Sequence, residues 1–243
     1  MQASIITVGD ELLAGDVTDT NASWLAARLD DRGVTVGEML TVPDDVDAVA
    51  DAVRDHRERF DATVVTGGVG GTPDDVTMDG VARAFGVDLA VDPAERERIA
   101  AAYGDRDGLD LDVDAWARTP VGARALSNPE GLSPGCVLDG VYVLPGVPAE
   151  MRAMFETVAA EFAGEVRSRS LYVTGPESSL VETLNAARER FDVAVGCYPA
   201  GEVKRVKLRG ESEAALDDAA DWLADALADR LADAEEWEAG REQ

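Results

Sequence analysis

Short apolar runs alternate with amphipathic stretches along the first half of the chain. Residues 4–8 and 62–66 are almost entirely apolar or β-branched, which is the pattern of strands buried on both faces. Apolar positions recur at helical spacing over residues 21–32 and 45–59, and Gly33 marks the end of the first of these helices. Strands that alternate with helices in this way predict an α/β fold whose mostly parallel sheet is covered by helices on both faces.

The middle of the chain has a less regular pattern. Residues 93–103 are predicted to form a helix, whereas residues 104–114 combine aspartates with glycines in a spacing that lacks the calcium-loop pattern, and we interpret them as a solvated loop. Two apolar runs flank Asp139-Gly140, a pair typical of the type I′ turn of a two-residue β-hairpin. A further amphipathic helix is predicted to begin near Ala149.

The order of elements changes in the last third of the chain. The pattern there predicts strand, helix, strand, strand and helix, which suits a small α+β module with its own core. We therefore divide the chain into a first domain, an α+β module and a polar tail that frays, with limits at residues 1–165, 166–235 and 236–243.

Composition adds a large negative charge to this picture. Lysine and arginine total 22 against 49 aspartates and glutamates, a formal net charge of −27, while 46% of the residues are hydrophobic and can supply a core. Lys204 and Lys207 are the only lysines. An acidic, lysine-poor surface suits concentrated salt, where the screening length falls from ~10 Å at 0.1 M to ~3 Å at 1 M ionic strength. We predict a halophilic protein that loses stability in dilute buffer.

The same composition limits the partners and the compartment. Nucleic-acid binding rests on Lys and Arg, and the one basic cluster, residues 204–209, is interpreted as a solvated strand, so no nucleic-acid partner is expected. No apolar run approaches the ~18–20 residues that cross a bilayer, and a cytoplasmic protein without a membrane partner is predicted. Cys136 and Cys197 lack the spacing of a zinc site or a disulfide framework. His56 lies in a polar helical stretch and is predicted to be a surface residue.

A glycine-rich loop after the second buried strand is the strongest candidate for chemistry. Its glycines permit positive φ and close approach to a ligand, and its amides, with the start of the next helix, could hold a phosphate. The loop follows a parallel strand, where ligands bind in open α/β sheets. It matches neither a Walker A loop nor the GxGxxG fingerprint, so ligand binding and a merely tight turn both remain open. The candidate phosphate ligands are Gly67, Gly68, Gly70, Gly71, Thr72 and Thr77.

Adjacent carboxylates follow the first buried strand. Asp10 and Glu11 lie there, and Asp74 or Asp75 of the glycine-rich segment would join them at the same sheet edge. Because carboxylates repel phosphate, a hard cation between them is expected, and Mg²⁺ held by one or two carboxylates plus phosphate oxygens is the common arrangement. The alternative in so acidic a chain is that these side chains are simply solvated. Asn21 begins the next helix, in a turn that could reach back over the end of the first strand.

Four motifs in this order resemble the MoaB/Mog (molybdopterin-binding) superfamily. They are residues 9–15 (GDELLAG), 19–22 (DTNA), 67–77 (GGVGGTPDDVT) and 143–151 (VLPGVPAEM). The chain is most similar to the amino-terminal part of the CinA-like, competence- and damage-inducible proteins, and its last third resembles the small KH-like module that follows there. The resemblance implies a three-layer α/β fold that binds a nucleotide or pterin phosphate at the glycine-rich loop.

The resemblance also assigns roles to individual residues. The aspartate of the DVT segment is important for activity in molybdopterin-handling relatives, and Asp75 occupies that position. The Asp10–Glu11 pair and the turn at Pro145 and Gly146 flank the same pocket. In CinA-like proteins this region is associated with metal-dependent hydrolysis of ADP-ribose at its pyrophosphate, so Asp75 and Asp10 are predicted to be catalytic. The predicted Mg²⁺ ligands are Asp10, Glu11, Asp74 and Asp75.

Two other functions remain open from the sequence. In a MoaB-type enzyme the same loop would serve adenylyl transfer to molybdopterin in molybdenum-cofactor assembly, and the third alternative is a nucleotide-binding protein without catalysis. The further domain with which full-length CinA proteins deamidate nicotinamide mononucleotide is not expected in this chain. Because relatives form dimers or trimers, a homo-oligomer is expected.

Overall fold

The computed structural model describes residues 1–103 and 112–241 of the chain. They divide into two units, Met1–Gly164 and Glu165–Gln243, each of which is described by itself below. Most of the predicted loop at residues 104–114 lies outside the described residues, but its last part begins a short helix, whose first turn is capped by Asp112. Within the described ranges, no helix has both the length and the apolar character needed to cross a membrane.

The first unit contains strands and helices in alternation. Its strands are β1 (Gln2–Val8), β2 (Thr35–Val42), β3 (Ala62–Thr66), β4 (Leu89–Val91), β5 (Arg118–Pro120), β6 (Arg124–Leu126), β7 (Gly135–Leu138) and β8 (Val141–Leu144). Its helices are α1 (Asp10–Ala14), α2 (Thr20–Asp31), α3 (Val46–Arg59), α4 (Thr77–Phe85), α5 (Pro93–Tyr103), α6 (Val113–Trp116) and α7 (Pro148–Val158). A short 3₁₀ turn, Ala159–Glu161, follows α7.

Six of these strands form one mixed sheet in the order β2-β1-β3-β8-β7-β6. β1 runs parallel to both β2 and β3, and β3 runs parallel to β8, whereas β7 is antiparallel to β8 and to β6. In this register Ile5 of β1 lies opposite Val64 of β3 and Met39 of β2. The mostly parallel α/β sheet predicted from the sequence is confirmed.

Helices cover both faces because successive residues of a central strand point to opposite sides. Ile5 and Ile6 have no solvent exposure, and they belong to different apolar clusters. The Ile5 cluster includes Leu25 and other residues of α2 and α7, and the Ile6 cluster includes Val53 and other residues of α3 and α4. The continuous apolar runs in the sequence therefore reflect burial on both faces of the sheet.

β7 and β8 form the predicted hairpin. Asp139 and Gly140 have φ angles of 44° and 80°, and positive values at both central positions are what a type I′ turn requires. The sequence pattern did not predict β4, β5 or β6. Each of these strands has three residues, which is too short for a period-two alternation to be recognised.

The second unit is a three-stranded antiparallel sheet with helices, in the strand order β10-β11-β9. An apolar cluster joins residues of β9 and β11 to residues of α8 and α9, which form the core of this unit. The elements follow the predicted order, with one helix added at the end. Their bounds are β9 (Arg167–Thr174), α8 (Val181–Phe191), β10 (Ala194–Ala200), β11 (Val203–Gly210), α9 (Glu213–Ala226) and α10 (Ala234–Arg241), with 3₁₀ turns at Glu177–Ser179 and Ala228–Arg230.

The final helix corrects the prediction of a frayed tail from residue 236. α10 continues to Arg241, and Trp237 at its centre is only 5% exposed. The indole packs with Ala200 and Val203, and its Nε1 donates a hydrogen bond to the carbonyl oxygen of Tyr198 at 3.1 Å. The polar composition of the tail suggested fraying, but one buried aromatic ring anchors the helix.

His56 corrects a second prediction, because it is buried and not at the surface. Its side chain is 1% exposed, with the ring 5.5 Å from that of Phe60 and Nε2 3.6 Å from an oxygen of Glu38. Although its sequence neighbours are polar, His56 follows Val49 and Val53 at helical spacing on α3 and so lies on the apolar face of that helix. Burial lowers the pKa of His56, and nearby carboxylates, Glu38 first, oppose this shift.

The basic cluster on β11 is less solvated than predicted. Lys204 is 9% exposed and its Nζ donates to the carbonyl oxygen of Glu202 at 2.9 Å. Arg205 is half-buried, with its guanidinium 4.5 Å from the ring of Trp237. The added helix α10 explains the partial burial of Arg205, because its tryptophan covers one end of that face of the sheet. Lys204 points to the opposite face, the one that carries Val206 and Leu208 of the core.

Candidate active site

Four strands of the first unit end at one edge of the sheet. Because β1, β2, β3 and β8 are parallel, their carboxyl ends meet there, which is where ligands bind in open α/β sheets. Hydrogen bonds tie the ends together: Gly9 N donates to Val42 O at 3.1 Å, and Gly67 N donates to Leu144 O at 3.2 Å. The segments that follow the four strands are residues 9–11, 43–45, 67–77 and 145–147.

A cleft of about 260 Å³ opens at this edge, and we call it the acidic cleft. Its walls come from the end of β1, the start of α1, the loop before α2, the glycine-rich loop and the turn after β8. Five acidic residues line it, namely Glu11, Asp19, Asp44, Asp74 and Asp75. The cleft therefore concentrates negative charge around a space large enough for a phosphate group and an ion.

The glycine-rich loop has the backbone geometry for close approach. Gly67 and Gly68 have φ angles of 106° and 58°, and a side chain at Gly67 would overlap the carbonyl oxygen of Val8. Among the described residues, no hydrogen-bond acceptor is found for the amides of Gly68, Gly70 and Gly71. Unpaired amides on a tight loop attract anions. Of the predicted phosphate ligands, Gly67 and Gly68 line the acidic cleft.

The rest of the loop makes contacts within the protein. Oδ2 of Asp75 accepts hydrogen bonds from Thr72 N at 2.9 Å and from Thr72 Oγ1 at 2.5 Å, and the carboxylate lies against Gly70. Thr77 is fully buried, and its Oγ1 donates to the carbonyl oxygen of Gly67 at 2.7 Å. Thr77 thus supports the loop from within and does not face a ligand, while Thr72 holds the predicted catalytic carboxylate.

Asp44 joins the site, although it is not among the residues predicted from the sequence. Its Oδ2 accepts from Asp10 N at 2.8 Å, and its own amide donates to Asp10 Oδ1 at 3.4 Å. Burial raises the pKa of Asp44; the charges of Asp10, Glu11 and Asp74 raise it further, and the hydrogen bond from Asp10 opposes them. The signal that identified Asp10, an acidic residue directly after a parallel strand, would also have identified Asp44 after β2.

The predicted metal ligands are only partly brought together. Glu11, Asp74 and Asp75 line the acidic cleft, whereas the Asp10 carboxylate lies beside the Asp44 amide and not among the lining residues. In residues 1–103 and 112–241, no three His, Cys, Asp or Glu side chains converge as a metal-binding group. An all-oxygen donor set suits Mg²⁺, which keeps waters and takes one or two carboxylates plus phosphate oxygens. The residues fit an ion that is held jointly with a phosphate.

The structure brings Asn21 to the turn after β8. Asn21 Nδ2 donates to the carbonyl oxygen of Gly146 at 2.7 Å, and Thr66 Oγ1 donates to that of Pro145 at 2.7 Å. A Cβ on Gly146 would lie 3.2 Å from the Cα of Gly67, so the turn and the glycine-rich loop are in close contact. Oδ1 of Asn21 is buried without a hydrogen-bond partner among the described residues, which leaves an oxygen acceptor at the cleft wall.

A larger cavity of about 730 Å³ adjoins the acidic cleft, and we call it the tryptophan cavity. The two spaces share Gly68, Asp75 and Gly146 as lining residues. This cavity could not be predicted from the pattern of residues, because its walls come from segments far apart in the sequence. The wall residues discussed below are Arg98, Trp116, Asn128, Gly131, Leu132 and Glu150.

A mixed, mostly parallel sheet with a glycine-rich loop and acidic residues at the carboxyl ends of its parallel strands places the first unit in the open α/β class, in which ligands bind at that edge. The family model described as a probable molybdopterin binding domain matches residues 4–164, and the chain belongs to this family. A second model, described as the middle domain of FAD synthase, matches residues 165–236.

Individual relatives support the same assignment. A protein from Archaeoglobus fulgidus is 36% identical over 221 residues, which cover 90% of this chain and 95% of that protein. A CinA-like protein from Salinibacter ruber is 35% identical over 228 residues, 87% of this chain and 55% of its own length, so the chain spans about half of that relative. The crystal structure of CinA, of unknown function, from Thermoplasma acidophilum has 36% identity and a TM-score of 0.62, covering 66% of this chain and 97% of that one. The resemblance to the MoaB/Mog superfamily and to CinA-like proteins is thereby confirmed.

Proposed function

We propose that the first unit binds a nucleotide-like diphosphate ester at the acidic cleft and hydrolyses its pyrophosphate bond with Mg²⁺, with ADP-ribose-like compounds as substrates. One observation carries this proposal: the unpaired amide of Gly68, in the glycine-rich loop, and five acidic residues meet at one 260 Å³ cleft. The amides favour phosphate oxygens, whereas the carboxylates favour a cation. A magnesium-bound diphosphate satisfies both requirements.

The loop supplies the phosphate-binding half of the site. Gly67 and Gly68 lack side chains at the cleft, so a phosphate can approach their backbone closely. Hydrolysis of the anhydride increases negative charge on the phosphoryl oxygens. Amide dipoles that are already fixed by the fold stabilise this charge without reorganising during the reaction.

The carboxylates supply the second half. Asp75 is anchored through Oδ2 by Thr72, so its other oxygen can orient a water molecule for attack on phosphorus. Glu11 and Asp74 line the same cleft and would hold Mg²⁺ together with phosphate oxygens. An ion held there would neutralise charge on the diphosphate. Asp10 acts through Asp44, whose carboxylate it holds by a backbone hydrogen bond.

The proposal is tested by incubating the protein in concentrated KCl with Mg²⁺ and ADP-ribose and measuring AMP and ribose 5-phosphate by chromatography. We expect AMP formation, and we expect Asp75→Asn to reduce its rate by roughly 100-fold, the scale of a lost acid–base group. The asparagine oxygen can still accept the Thr72 hydrogen bonds, so the loop is retained. The exposed Asp88→Asn is the matched control and should hydrolyse at the wild-type rate. Absence of AMP, or equal rates for Asp75→Asn and wild type, would refute this function.

Adenylyl transfer to molybdopterin is a second candidate, and the matched family description favours it. That reaction predicts an adenylylated pterin from Mg-ATP and molybdopterin and no turnover of ADP-ribose. Binding without catalysis predicts calorimetric heat with these compounds and no product of either kind. The same set of incubations therefore separates the three functions.

A further inference from the structure

The tryptophan cavity has the features of a small-molecule site in its own right. Its volume of about 730 Å³ lies within the range of ~300–1,000 Å³ typical of ligand pockets. It meets the acidic cleft at Gly68, Asp75 and Gly146, which line both spaces. A diphosphate bound over these shared residues would therefore have its organic group next to the cavity.

Trp116 provides an aromatic surface in this cavity. It is the last residue of α6, is half-buried, and lines the cavity together with the segment around Asn128. Its indole lies against the backbone of Gly71, where any side chain would collide with the ring. The glycine-rich loop thus fixes the position of the indole, and a fixed aromatic face is a platform for stacking of planar rings.

Glu150 provides a fixed hydrogen-bond acceptor in the same cavity. It lies in the first turn of α7, and its Oε2 accepts from Nδ2 of Asn128 at 2.6 Å. A side chain on Gly131 would overlap the carboxylate, so the backbone of Gly131 packs directly on it. The carboxylate is therefore held in one orientation and can accept further hydrogen bonds from a ligand.

Arg98 shapes this wall and does not provide an anion site. Its guanidinium donates to the carbonyl oxygens of Gly131 at 3.1 Å and Leu132 at 2.5 Å. Its Nε donates to Glu95 at 2.8 Å, and Glu95 is only 3% exposed. The arginine charge is thus balanced, and the charge of Glu150 disfavours a second phosphate in the cavity.

We propose that the tryptophan cavity binds the amino-substituted planar heterocycle of the substrate, stacked on Trp116 with its amino group donating to Glu150. This inference rests on the proposed function, since the diphosphate over Gly68, Asp75 and Gly146 places the ring there. Amino-substituted purines and pterins both contain such a ring. A ring without an exocyclic amino group forms no hydrogen bond to the half-buried carboxylate of Glu150 and binds less tightly.

The test measures binding of rings that carry no phosphate, by calorimetry on the full chain in concentrated KCl without divalent metal. Adenosine, guanosine and biopterin are compared, and purine riboside and inosine are the matched ligands that lack the amino groups of the two nucleosides. At least one of the three amino-substituted compounds should bind, and a nucleoside that binds should do so more tightly than its matched ligand by about 10-fold. The compound that binds best identifies the source of the ring.

Variants assign this binding to the two side chains. Trp116→Ala should weaken it by roughly 5- to 100-fold, the scale of one stacking interaction, whereas Trp116→Phe should retain most of it. Glu150→Gln should abolish the preference for amino-substituted rings. Asp88→Asn, an exposed residue that lines neither space, should leave nucleoside binding at the wild-type value. The phenylalanine variant keeps the test valid if the alanine variant fails to fold.

The outcomes separate this inference from the proposed function. If no nucleoside or pterin binds, or if Trp116→Ala and Glu150→Gln bind as wild type does, the ring site is wrong even where ADP-ribose is hydrolysed. If the rings bind as expected and no AMP is formed from ADP-ribose, the hydrolytic function is wrong and the ring site stands.

Discussion

The carboxyl group of Asp44 stands among like charges at the acidic cleft. Burial and the carboxylates of Asp10, Glu11 and Asp74 raise its pKa in the folded protein. Because the folded state then binds this proton more tightly than the unfolded chain, ionised Asp44 destabilises the fold. This destabilisation is absent below the ordinary aspartate pKa, and it develops as the pH rises through the pKa of Asp44 in the folded protein.

Asp44→Asn should therefore stabilise the metal-free protein at neutral pH. The free energy of unfolding should increase by an amount on the order of 0.5 kcal/mol, which is small because the Asp44 carboxylate is partly solvated. This increase should vanish at acidic pH, where Asp44 is protonated in both the folded and the unfolded state. The measurement is urea denaturation at a series of pH values. In the same experiment Mg²⁺ should stabilise wild type more than Asp44→Asn, since the variant lacks a carboxylate that the ion neutralises. A variant less stable than wild type at neutral pH would contradict this electrostatic account.

Asp44 and His56 also show what the sequence predicts of single residues. Positions at the ends of strands could be predicted from the sequence, so Asp10, Glu11 and the glycine-rich loop were located correctly at one sheet edge. Contacts between segments that are far apart in the sequence could not be predicted from it. The pairing of Asp44 with Asp10 depends on how two strands and their loops pack, which neighbours in the sequence do not show. His56 was placed wrongly because its polar neighbours outweighed its helical spacing from Val49 and Val53.

At the scale of elements, α10 depends on one buried ring. Trp237 contacts Ala200 and Val203, and the guanidinium of Arg205 lies 4.5 Å from its ring centre. Trp237→Ala should cost about 3–5 kcal/mol in the free energy of unfolding of the second unit, the range for truncating a buried aromatic side chain. Glu238→Ala on the exposed side of the same helix should change it by less than about 0.5 kcal/mol.

These two variants are compared by denaturant unfolding followed by near-ultraviolet circular dichroism. Equal stabilities for the tryptophan and glutamate variants would mean that α10 contributes no packing to the second unit. A large loss for Trp237→Ala alone would show that residues after 235 are part of the folded module.

Elements were predictable where their pattern was long and regular. The buried strands β1 and β3 and the amphipathic helices α2 and α3 carry periodic patterns, and the turn at Asp139 and Gly140 carries a specific residue pair. α10 and the three-residue strands carry neither. Their stability comes from tertiary contacts, which override local propensity and composition.

At the scale of the whole molecule, charge imbalance is the dominant feature. The chain has 49 acidic residues against 22 basic ones, so most carboxylates cannot be paired. Ion pairs that do form, such as Arg28 with Glu156 and Arg96 with Asp114, are solvent-exposed and contribute little to stability. Repulsion among the remaining carboxylates destabilises the compact state unless salt screens it.

The melting temperature should therefore rise with KCl concentration. Between ~0.1 M and ~3 M KCl the screening length falls below the spacing of most surface charges. If the repulsion between carboxylates then destabilises the fold by about 3 kcal/mol less, Tm rises by roughly 10 °C. Differential scanning calorimetry measures this, with sucrose as the control for effects that do not depend on charge. A Tm that stays constant across the KCl series would overturn the prediction of halophilic adaptation.

One helix allows the charge argument to be tested locally. Asp218, Asp221 and Asp225 lie on the exposed side of α9 at helical spacing, where like charges repel. The triple variant Asp218→Asn, Asp221→Asn and Asp225→Asn should melt at a higher temperature than wild type in dilute buffer. Because fewer charges then need screening, its Tm should also rise less steeply with KCl. If the variant and wild type show the same slope, salt stabilises the protein through effects on water and burial, and not through screening of its carboxylates.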